Sequence, residues 1–596
     1  MNNTCSTNSF FSKFLLPATL LFIFILPLKF GAPAGIPDIN IIPETAAMWI
    51  FSFWPPLLFS LISAFLLICC CFTPAATANY RNYAATIPLL FTVLAFCALA
   101  GFTKATCLDF PIQECLYIFG LSAFSIALFI IIMQKEVNPL LILKAVTIST
   151  LILTFYGIYQ YISGFENTRE YVAEVLSKNN IILSEEAKNR FNNNFIFSTF
   201  SISNNFAAHL ILTAPICLYM FLYSGFLKTK LLRYTLSSGA MLMIVTALLL
   251  SGSRGAILSF ALSFIILFAL VSMKSKASLF LILATPLAAA AVIFLVPKDS
   301  GSVFIRFDYL QTGVILLKNN IFTGAGWGDF FHSYTHLKKF LTTEAPHDPH
   351  NFIISMGSQA GIAAMITASL IILAPILLVL KKINKLPLKE KFKTLEFPML
   401  LGFTAWSIHS FMDINFQIPG TAAIAIILCI IMIKIDKPYH CQRKISIPLK
   451  SIFLSISLVI ILAGFYRLRG EYYLSKLSNS CCPQFSLDNS ALSNIPEAKK
   501  LLKRAIEAAP YSPFPWGTFG DFAIKNEMKD EAELCFTNAI RLSPGRANFY
   551  YSLAMVQMKA GKTGYAIKNM GVAARLFPYK YNILYDKMRD NYYKGL

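Results

Sequence analysis

The sequence predicts an all-α protein in which a polytopic bundle of transmembrane helices is followed by a soluble α-helical domain. Composition carries the first half of this prediction: 56% of the residues are hydrophobic, only 14% are charged, and the mean hydropathy is +0.60. These values are too apolar for a soluble protein, so the chain is expected to lie in a membrane. The second half comes from the C-terminal tail, where charged residues become frequent and the pattern turns amphipathic.

About thirteen apolar segments are long enough to cross a bilayer, which takes roughly 20 residues of helix. They lie approximately at residues 12–30, 48–72, 84–103, 113–133, 138–162, 202–224, 231–251, 254–272, 277–297, 352–380, 397–415, 419–434 and 451–467. The first resembles a signal sequence, but it lacks a small-residue cleavage site and is interpreted as a membrane helix. The membrane domain is therefore predicted at residues 1–467 and the soluble domain at residues 468–596.

Lysine and arginine are concentrated in particular connections between these segments. The basic connections lie at residues 228–233, 274–276, 381–396 and 434–450. Cytoplasmic loops carry an excess of these residues, and thirteen spans counted from a cytoplasmic N-terminus place all four connections on that side. Two long loops, residues 163–201 and 298–350, and the soluble domain are then expected outside. Much of the net charge of +21 therefore reflects topology and not a nucleic-acid-binding surface.

The soluble tail contains an internal repeat of 34 residues. Three columns share this spacing: Pro510, Pro544 and Pro578; Ala505, Ala539 and Ala573; and Ala498, Ala532 and Ala566. A 34-residue period is typical of tetratricopeptide repeats, in which small residues let paired helices approach closely. Such arrays form concave surfaces, so a protein partner is expected to bind through this domain.

Four of the seven histidines fall in one polar stretch between His332 and His350. An imidazole at a bilayer surface can reach water and exchange protons near neutral pH. His332 and His336 are interpreted as ordinary loop residues. His350 differs, because it lies with Asn351 where the loop re-enters the membrane as FIISMGSQAGIAAMI, and there it could act as a general base.

Other charged residues are predicted near the same outer surface. Arg254, in SGSRGA, lies between two apolar runs and either snorkels to the interface or binds an anion. Arg306 begins RFDYLQTGVILLKNNIFTGAGWGDF, an amphipathic helix that leads to a glycine-rich turn. His409 and Asp413, in HSFMDINFQIP, are four residues apart and are expected on one helix face near its outer end. They could pair with each other or contribute to catalysis.

The order of these motifs resembles the O-antigen ligase and polymerase superfamily. The series runs SGSRGA, then Arg306 through GAGWGDF, then PHNFIISMGSQAGI, then HSFMDINFQIP. Upstream, FSTFSISNNFAAHLILTAP is similar to that family's Asn-rich entry to a membrane helix, although Ser-Asn-Asn stands where an NPN-type sequence is common. The resemblance covers about residues 180–440.

The resemblance implies a glycosyltransferase of the bacterial inner membrane that passes a glycan from an undecaprenyl-diphosphate carrier to a periplasmic acceptor. It implies that His350 activates the acceptor hydroxyl, while Arg254 and Arg306 bind the diphosphate. Arg190 would be a further diphosphate contact. The supporting residues would be Asn351, His409 and Asp413. A lipid A core acceptor makes the protein a ligase, a growing glycan makes it a polymerase, and a protein makes it an oligosaccharyltransferase; the ligase is ranked first.

The resemblance implies no cofactor and no metal. His347, Asp348 and His350 could in principle ligate a divalent ion, although Pro349 restrains them. The thirteen cysteines form neither a disulfide framework nor a zinc-binding spacing. Two other classes stay open, a lipid-linked glycan transporter or flippase and a non-catalytic membrane anchor for the repeats. A transporter is less favoured, because paired charges near the midplane and duplicated halves are not evident in the sequence.

Overall fold

The computed structural model describes residues 11–34, 42–43, 45–72, 83–134, 137–178, 192–225, 228–272, 300–338, 345–434, 446–481 and 495–594. Within these ranges the chain is built from helices and connecting turns. The one extended pairing in the same ranges is an isolated parallel bridge between Gly31 and Phe200. The predicted all-helical fold is therefore confirmed.

Most helices up to the predicted C-terminal domain are apolar along most of their length; Phe165–Lys178 and Leu388–Lys391 are polar exceptions. They are α1 (Leu16–Lys29), α2 (Ala46–Phe51), α3 (Pro56–Cys71), α4 (Thr86–Phe102), α5 (Asp109–Ile132), α6 (Pro139–Tyr159), α7 (Phe165–Lys178), α8 (Ser203–Tyr223), α9 (Lys230–Leu250), α10 (Arg254–Ser272), α11 (Ser300–Asn319), α12 (Phe330–Leu337), α13 (Phe352–Ile383), α14 (Leu388–Lys391), α15 (Glu396–His409), α16 (Pro419–Ile433) and α17 (Ile447–Cys481).

Eight helices among the described residues are long and apolar enough to cross a membrane. They are Tyr83–Phe102, Asp109–Ile132, Pro139–Glu170, Ser203–Tyr223, Lys230–Leu250, Arg254–Ser272, Phe352–Ile383 and Ile447–Leu477. Pro56–Cys71 and Pro419–Ile433 are shorter apolar helices. A multi-pass membrane protein is thus supported. The count of thirteen spans stays a prediction, and the segment at 277–297 lies outside the described residues.

Three predicted segments have different bounds in the structure. The segment at 48–72 is broken, because α2 ends at Phe51 with an extended backbone at Ser52, and α3 starts only at Pro56; a residue before proline is disfavoured in the α conformation. The segment at 397–415 stops being helical at His409. The last apolar helix continues to Cys481, so the predicted domain boundary at residue 467 falls inside a continuous helix.

The core of the membrane region surrounds α16. All of its residues are buried, whereas few residues of α9 and of the apolar part of α17 are buried. Exposed apolar side chains on such helices are suited to hydrocarbon, where the helix satisfies its own backbone hydrogen bonds. The bundle therefore places α16 at its centre, with α9 and α17 at its surface.

The C-terminal region consists of six helices, each packed against the next in the chain. They are α18 (Ile495–Ala508), α19 (Phe514–Lys525), α20 (Lys529–Leu542), α21 (Ala547–Lys559), α22 (Thr563–Leu576) and α23 (Pro578–Lys594). The repeated alanines Ala505, Ala539 and Ala573 are fully buried. The tetratricopeptide assignment stays a prediction, because other helical repeats also pair their helices.

Candidate active site

Several of the predicted site residues lie together at one end of the membrane helices. Asn204, near the start of α8, donates from Nδ2 to Asp413 Oδ2 at 3.0 Å, just beyond the end of α15. The backbone N–H of Phe352, the first residue of α13, donates to Ser410 O at 2.9 Å. The starts of α8 and α13 therefore meet the end of α15 in one polar region.

His350 has an unusual backbone conformation at the entry to α13. Its φ is +56°, in the left-handed region that few residues other than glycine adopt, although histidine enters it more readily than bulky residues do. Asn351 follows as the helix N-cap, accepting from Ile354 N at 3.1 Å and donating from Nδ2 to Phe411 O at 3.1 Å. The turn thus aims the imidazole and anchors it to the segment after α15.

Asp348 holds this turn in place. Its buried carboxylate accepts from His350 N at 2.7 Å, from Gln417 Nε2 at 3.0 Å and from the hydroxyl of Ser355. Burial raises the pKa of Asp348 above its ordinary value, and the bonds from Ser355 and His350 oppose that rise. An Asp two residues before the N–H that it binds forms an Asx turn, so the DPH sequence itself shapes the loop.

Asp413 is the centre of the charged groups. Its Oδ1 lies 4.0 Å from His350 Nδ1 and its Oδ2 lies 3.9 Å from Arg306 Nη2. Burial alone would raise the pKa of Asp413, but His409, His350 and Arg306 lower it below its ordinary value. The structure therefore brings Arg306, His350 and an ionised carboxylate together.

His409 and Asp413 do not share a helix face, which corrects that prediction. The α15 helix ends at His409, and Asp413 lies in the turn that follows. His409 is buried, and its Nδ1 lies 2.8 Å from Asn415 Nδ2. This bond positions the ring, so His409 supports the turn that carries Asp413.

Arg254 lies beside this group at the start of α10. A Cβ atom at Gly255 would lie 3.4 Å from His409 Nε2, so the first turn of α10 packs against the buried imidazole. Arg254 itself is exposed. Among the described residues, no hydrogen bond or ion pair engages its guanidinium.

The helix that carries Arg306 packs directly against the His350 turn. Tyr309, one turn after Arg306, has its ring centroid 5.6 Å from that of His350. At Gly313 a Cβ atom would come within 2.6 Å of Ile354 and 3.4 Å of Pro349, so α11 can approach this closely only with glycine there. Tyr309 and Gly313 thus set the position of Arg306 relative to His350.

The glycine-rich turn after α11 serves packing. Gly324, Gly326 and Gly328 all have positive φ, and a side chain at Gly324 would collide with the backbone of Gln359 and Ala360. Gly328 N donates to Gln359 Oε1 at 2.8 Å. The backbone amide of Gly328 is therefore engaged by the protein, and the turn binds the N-terminal part of α13.

Two further sequence-based proposals concern Arg190 and a metal site at His347, Asp348 and His350. Arg190 lies outside the described residues. In the alternative metal site, His347 stacks on the ring of Phe331 with centroids 4.8 Å apart, while Asp348 is engaged by the three donors given above. Among the described residues no group of three His, Cys, Asp or Glu side chains could hold a metal ion.

Sequence reasoning did not identify several residues that build the site. Asn204 and Gln417 bind carboxylates that are 209 and 69 residues away in the chain, and no local pattern predicts such contacts. Asp348 was considered only as a metal ligand. The signal that could have found it was its spacing of two residues from His350.

Fold and site together define the class, which is a multi-pass membrane protein with an ionisable cluster at one end of its helices. A family model described as O-antigen ligase matches residues 239–369, a segment that contains Arg254, Arg306, His350 and Asn351. The match supports an O-antigen ligase-like or polymerase-like membrane enzyme, as the motif order indicated. It covers less than half of the chain and does not include Asp413. No curated protein matches the chain.

Proposed function

We propose that this protein transfers a glycan from an undecaprenyl-diphosphate carrier to a hydroxyl group of an acceptor outside the cytoplasm, as an O-antigen ligase does. One observation carries the proposal: a single ionised carboxylate, Asp413, lies 4.0 Å from His350 Nδ1 and 3.9 Å from Arg306 Nη2. The proposed base, His350, and a proposed cation for the leaving group, Arg306, thus both lie close to the Asp413 carboxylate. The family match over residues 239–369 supports the reaction class.

In the proposed reaction the acceptor oxygen attacks the anomeric carbon of the donor sugar. A new C–O bond forms, the bond to the diphosphate oxygen breaks, and the lipid diphosphate leaves with the electron pair. The hydroxyl proton passes to His350 through Nε2, because Nδ1 faces Asp413. The imidazolium that results is stabilised by the carboxylate, as a nearby opposite charge favours the charged form.

Arg306 and Arg254 would neutralise the departing diphosphate. A guanidinium remains protonated and donates two parallel hydrogen bonds to phosphate oxygens. Arg306 has 40% of its side chain exposed, and Arg254 is exposed at the first turn of α10. Both can therefore reach a ligand without losing a short ion pair. Arg190 is retained as a further diphosphate contact.

The charge distribution supports a site outside the cytoplasm of a bacterial inner-membrane protein. His350 precedes α13, and the opposite end of α13 continues into a segment with Lys381, Lys382 and Lys385. Lysine-rich connections favour the cytoplasmic side. The end of the bundle with His350, together with the C-terminal helices that pack on it, would then face the periplasm.

The test is transfer of glycan from purified lipid-linked donor to acceptor by the full-length protein. His350→Ala is expected to lower the rate by about 10²- to 10⁴-fold, the usual contribution of a general base. His350→Asn should behave the same way, and it keeps a residue type that tolerates positive φ. Arg254→Ala should also lose transfer. His336→Ala is the matched control, because His336 is an exposed histidine outside the cluster.

Retained transfer in both His350 variants and in Arg254→Ala would remove the catalytic assignment. Movement of the intact lipid-linked glycan across the membrane, without formation of a new glycosidic bond, would instead identify the transporter class. The acceptor is ranked as a lipid A core first, then a growing glycan, then a protein. Comparing these three acceptors in the same assay decides among them.

A further inference from the structure

We propose that the C-terminal helical domain docks on the loop that carries His350 and holds it in place through Arg546, which makes Arg546 a positioning residue. The inference rests on the proposed function, because the group being positioned is the proposed general base. The C-terminal domain would then act on the reaction within its own chain, in addition to any partner that it binds.

Arg546 lies in the turn between α20 and α21, and its guanidinium contacts aromatic rings from three parts of the chain. The guanidinium carbon is 4.8 Å from the ring centroid of Phe514, 5.0 Å from that of Phe331 and 5.3 Å from that of Phe110. All three distances are within the range of cation–π attraction. Phe514 belongs to the C-terminal domain, whereas Phe331 and Phe110 belong to α12 and α5. One cation therefore joins the two domains.

The same two membrane-domain rings hold the loop. His347 stacks on Phe331 with ring centroids 4.8 Å apart and an interplanar angle of 15°, and its centroid is 4.5 Å from that of Phe110. Asp348 follows directly and accepts the backbone N–H of His350 at 2.7 Å. A continuous series of contacts thus runs from Arg546 through the aromatic rings and His347 to the turn that aims His350.

Burial and the neighbouring positive charge of Arg546 both favour a neutral His347 ring. Burial, together with the Arg546 charge, lowers the pKa of His347 to about 3, so its ring is uncharged at neutral pH. A neutral ring between two phenyl rings beside a guanidinium avoids repulsion between like charges. His347 is therefore suited to packing, and His350 remains the base.

Other contacts fasten the domain beside Arg546. Lys338 Nζ lies 3.4 Å from the ring centroid of Phe577, and Cys107 Sγ lies 3.7 Å from Ser543 Oγ. At Gly545 a Cβ atom would come within 2.6 Å of His332 Nδ1, so the backbone there approaches α12 closely. The docked surface thus includes α12, the residue that follows it and the segment before α5.

The first test compares variants of Arg546 in the transfer assay with the full-length protein. Arg546→Ala should lower kcat by about 10- to 100-fold, because a small displacement of a catalytic group is costly, while KM for the donor changes little. Arg546→Lys should recover most of the rate, since an ammonium also binds aromatic faces. Arg541→Ala, an exposed arginine of α20, is the matched control. A wild-type kcat in Arg546→Ala would overturn the inference.

The second test measures docking by disulfide formation and then relates it to transfer activity. In a Ser543→Cys variant, mild oxidation should form a disulfide with Cys107, identified by mass spectrometry of the linked peptides. Arg546→Ala should slow its formation, and Arg541→Ala should not. The oxidised double variant Arg546→Ala with Ser543→Cys should regain transfer and lose it on reduction, because the disulfide replaces the lost anchor. Rescue of this kind would not follow from general misfolding.

The outcomes separate the two proposals. A disulfide that fails to form, or that forms equally fast without Arg546, contradicts the docking. Absence of rescue contradicts the positioning role. If docking depends on Arg546 but the wild-type protein transfers no glycan, the proposed function fails and the docking stands.

Discussion

Two clusters in this protein each combine buried carboxylate with an arginine, and they differ in how far the arginine side chain is exposed. Arg467 on α17 is 1% exposed, with its Nη1 2.8 Å from Asp109 Oδ1 and its Nη2 in contact with Glu471. Arg306 has 40% of its side chain exposed and stays 3.9 Å from Asp413. Each carboxylate is buried, but only the second arginine is open to the surroundings.

The difference separates an arginine that holds the fold from one that can bind a ligand. Arg467 compensates two buried carboxylates, so removing it would leave uncompensated charge in the interior. Arg306 forms a long, partly solvated contact, and such contacts contribute little stability. It can therefore exchange Asp413 for a phosphate at small cost.

The largest expected effect is on stability in the closed cluster. Arg467→Ala should lower the free energy of unfolding by about 3 to 5 kcal/mol, because the carboxylates of Asp109 and Glu471 lose their partner. Thermal unfolding of the detergent-solubilised protein measures this. Arg469→Ala is the matched control, since Arg469 is exposed two residues away and should cost less than about 1 kcal/mol. Equal melting temperatures of Arg467→Ala and Arg469→Ala would show that Arg467 does not stabilise the fold through its buried ion pairs.

The second effect is on activity in the open cluster. Arg306→Ala should leave the unfolding free energy within about 1 kcal/mol of wild type while transfer falls by roughly 10- to 100-fold, as for the loss of a charged hydrogen bond. The control is Lys318→Ala, an exposed cation at the other end of the same helix. If Arg306→Ala melts as early as Arg467→Ala, Arg306 is structural.

The smallest expected effect is a pH dependence at His347. Its pKa is about 3 in the folded protein against about 6.5 in an unfolded chain, so its contribution to stability is complete above pH 6.5. As pH falls from 6.5 toward 3, the unfolded state binds a proton that the folded state excludes, and stability decreases by up to about 1.4 kcal/mol per pH unit.

Thermal unfolding between pH 7.5 and 5.5 measures this slope in the wild type and in His347→Phe. The phenylalanine keeps the stack on Phe331 and cannot titrate, so its curve should be flatter. His336→Phe removes an exposed histidine and should keep the wild-type slope. If stability depends on pH with the same slope in wild type and in His347→Phe, His347 is not the group whose titration lowers stability.

The sequence predicted the helices well where one long apolar run forms one helix. It did not predict the break before Pro56 or the end of α15 at His409, because apolar residues are frequent on both sides of each position. Mean hydropathy alone does not distinguish a helix from a following turn that also contains several apolar residues. Local backbone chemistry and tertiary contacts decide such ends.

The candidate site was predictable only in part, because tertiary packing and not local sequence brings some of its residues together. Motif order pointed to Arg254, Arg306 and His350 because these residues stand in recognisable local sequences. The central position of Asp413 arises from packing: contacts from α8, α11 and the turn before α13 meet at its carboxylate. No spacing along the chain encodes that meeting.

The break in α13 at Gly361 has a geometric consequence. Gly361 has φ +83° and ψ −175°, and a side chain there would collide with the carbonyl of Phe322. Before the break, Gln359 accepts a hydrogen bond from Gly328 N in the glycine-rich turn, and after it the long remainder of α13 continues to Ile383. The segment that follows His350 therefore takes its direction from the glycine-rich turn, independently of the axis of the long segment.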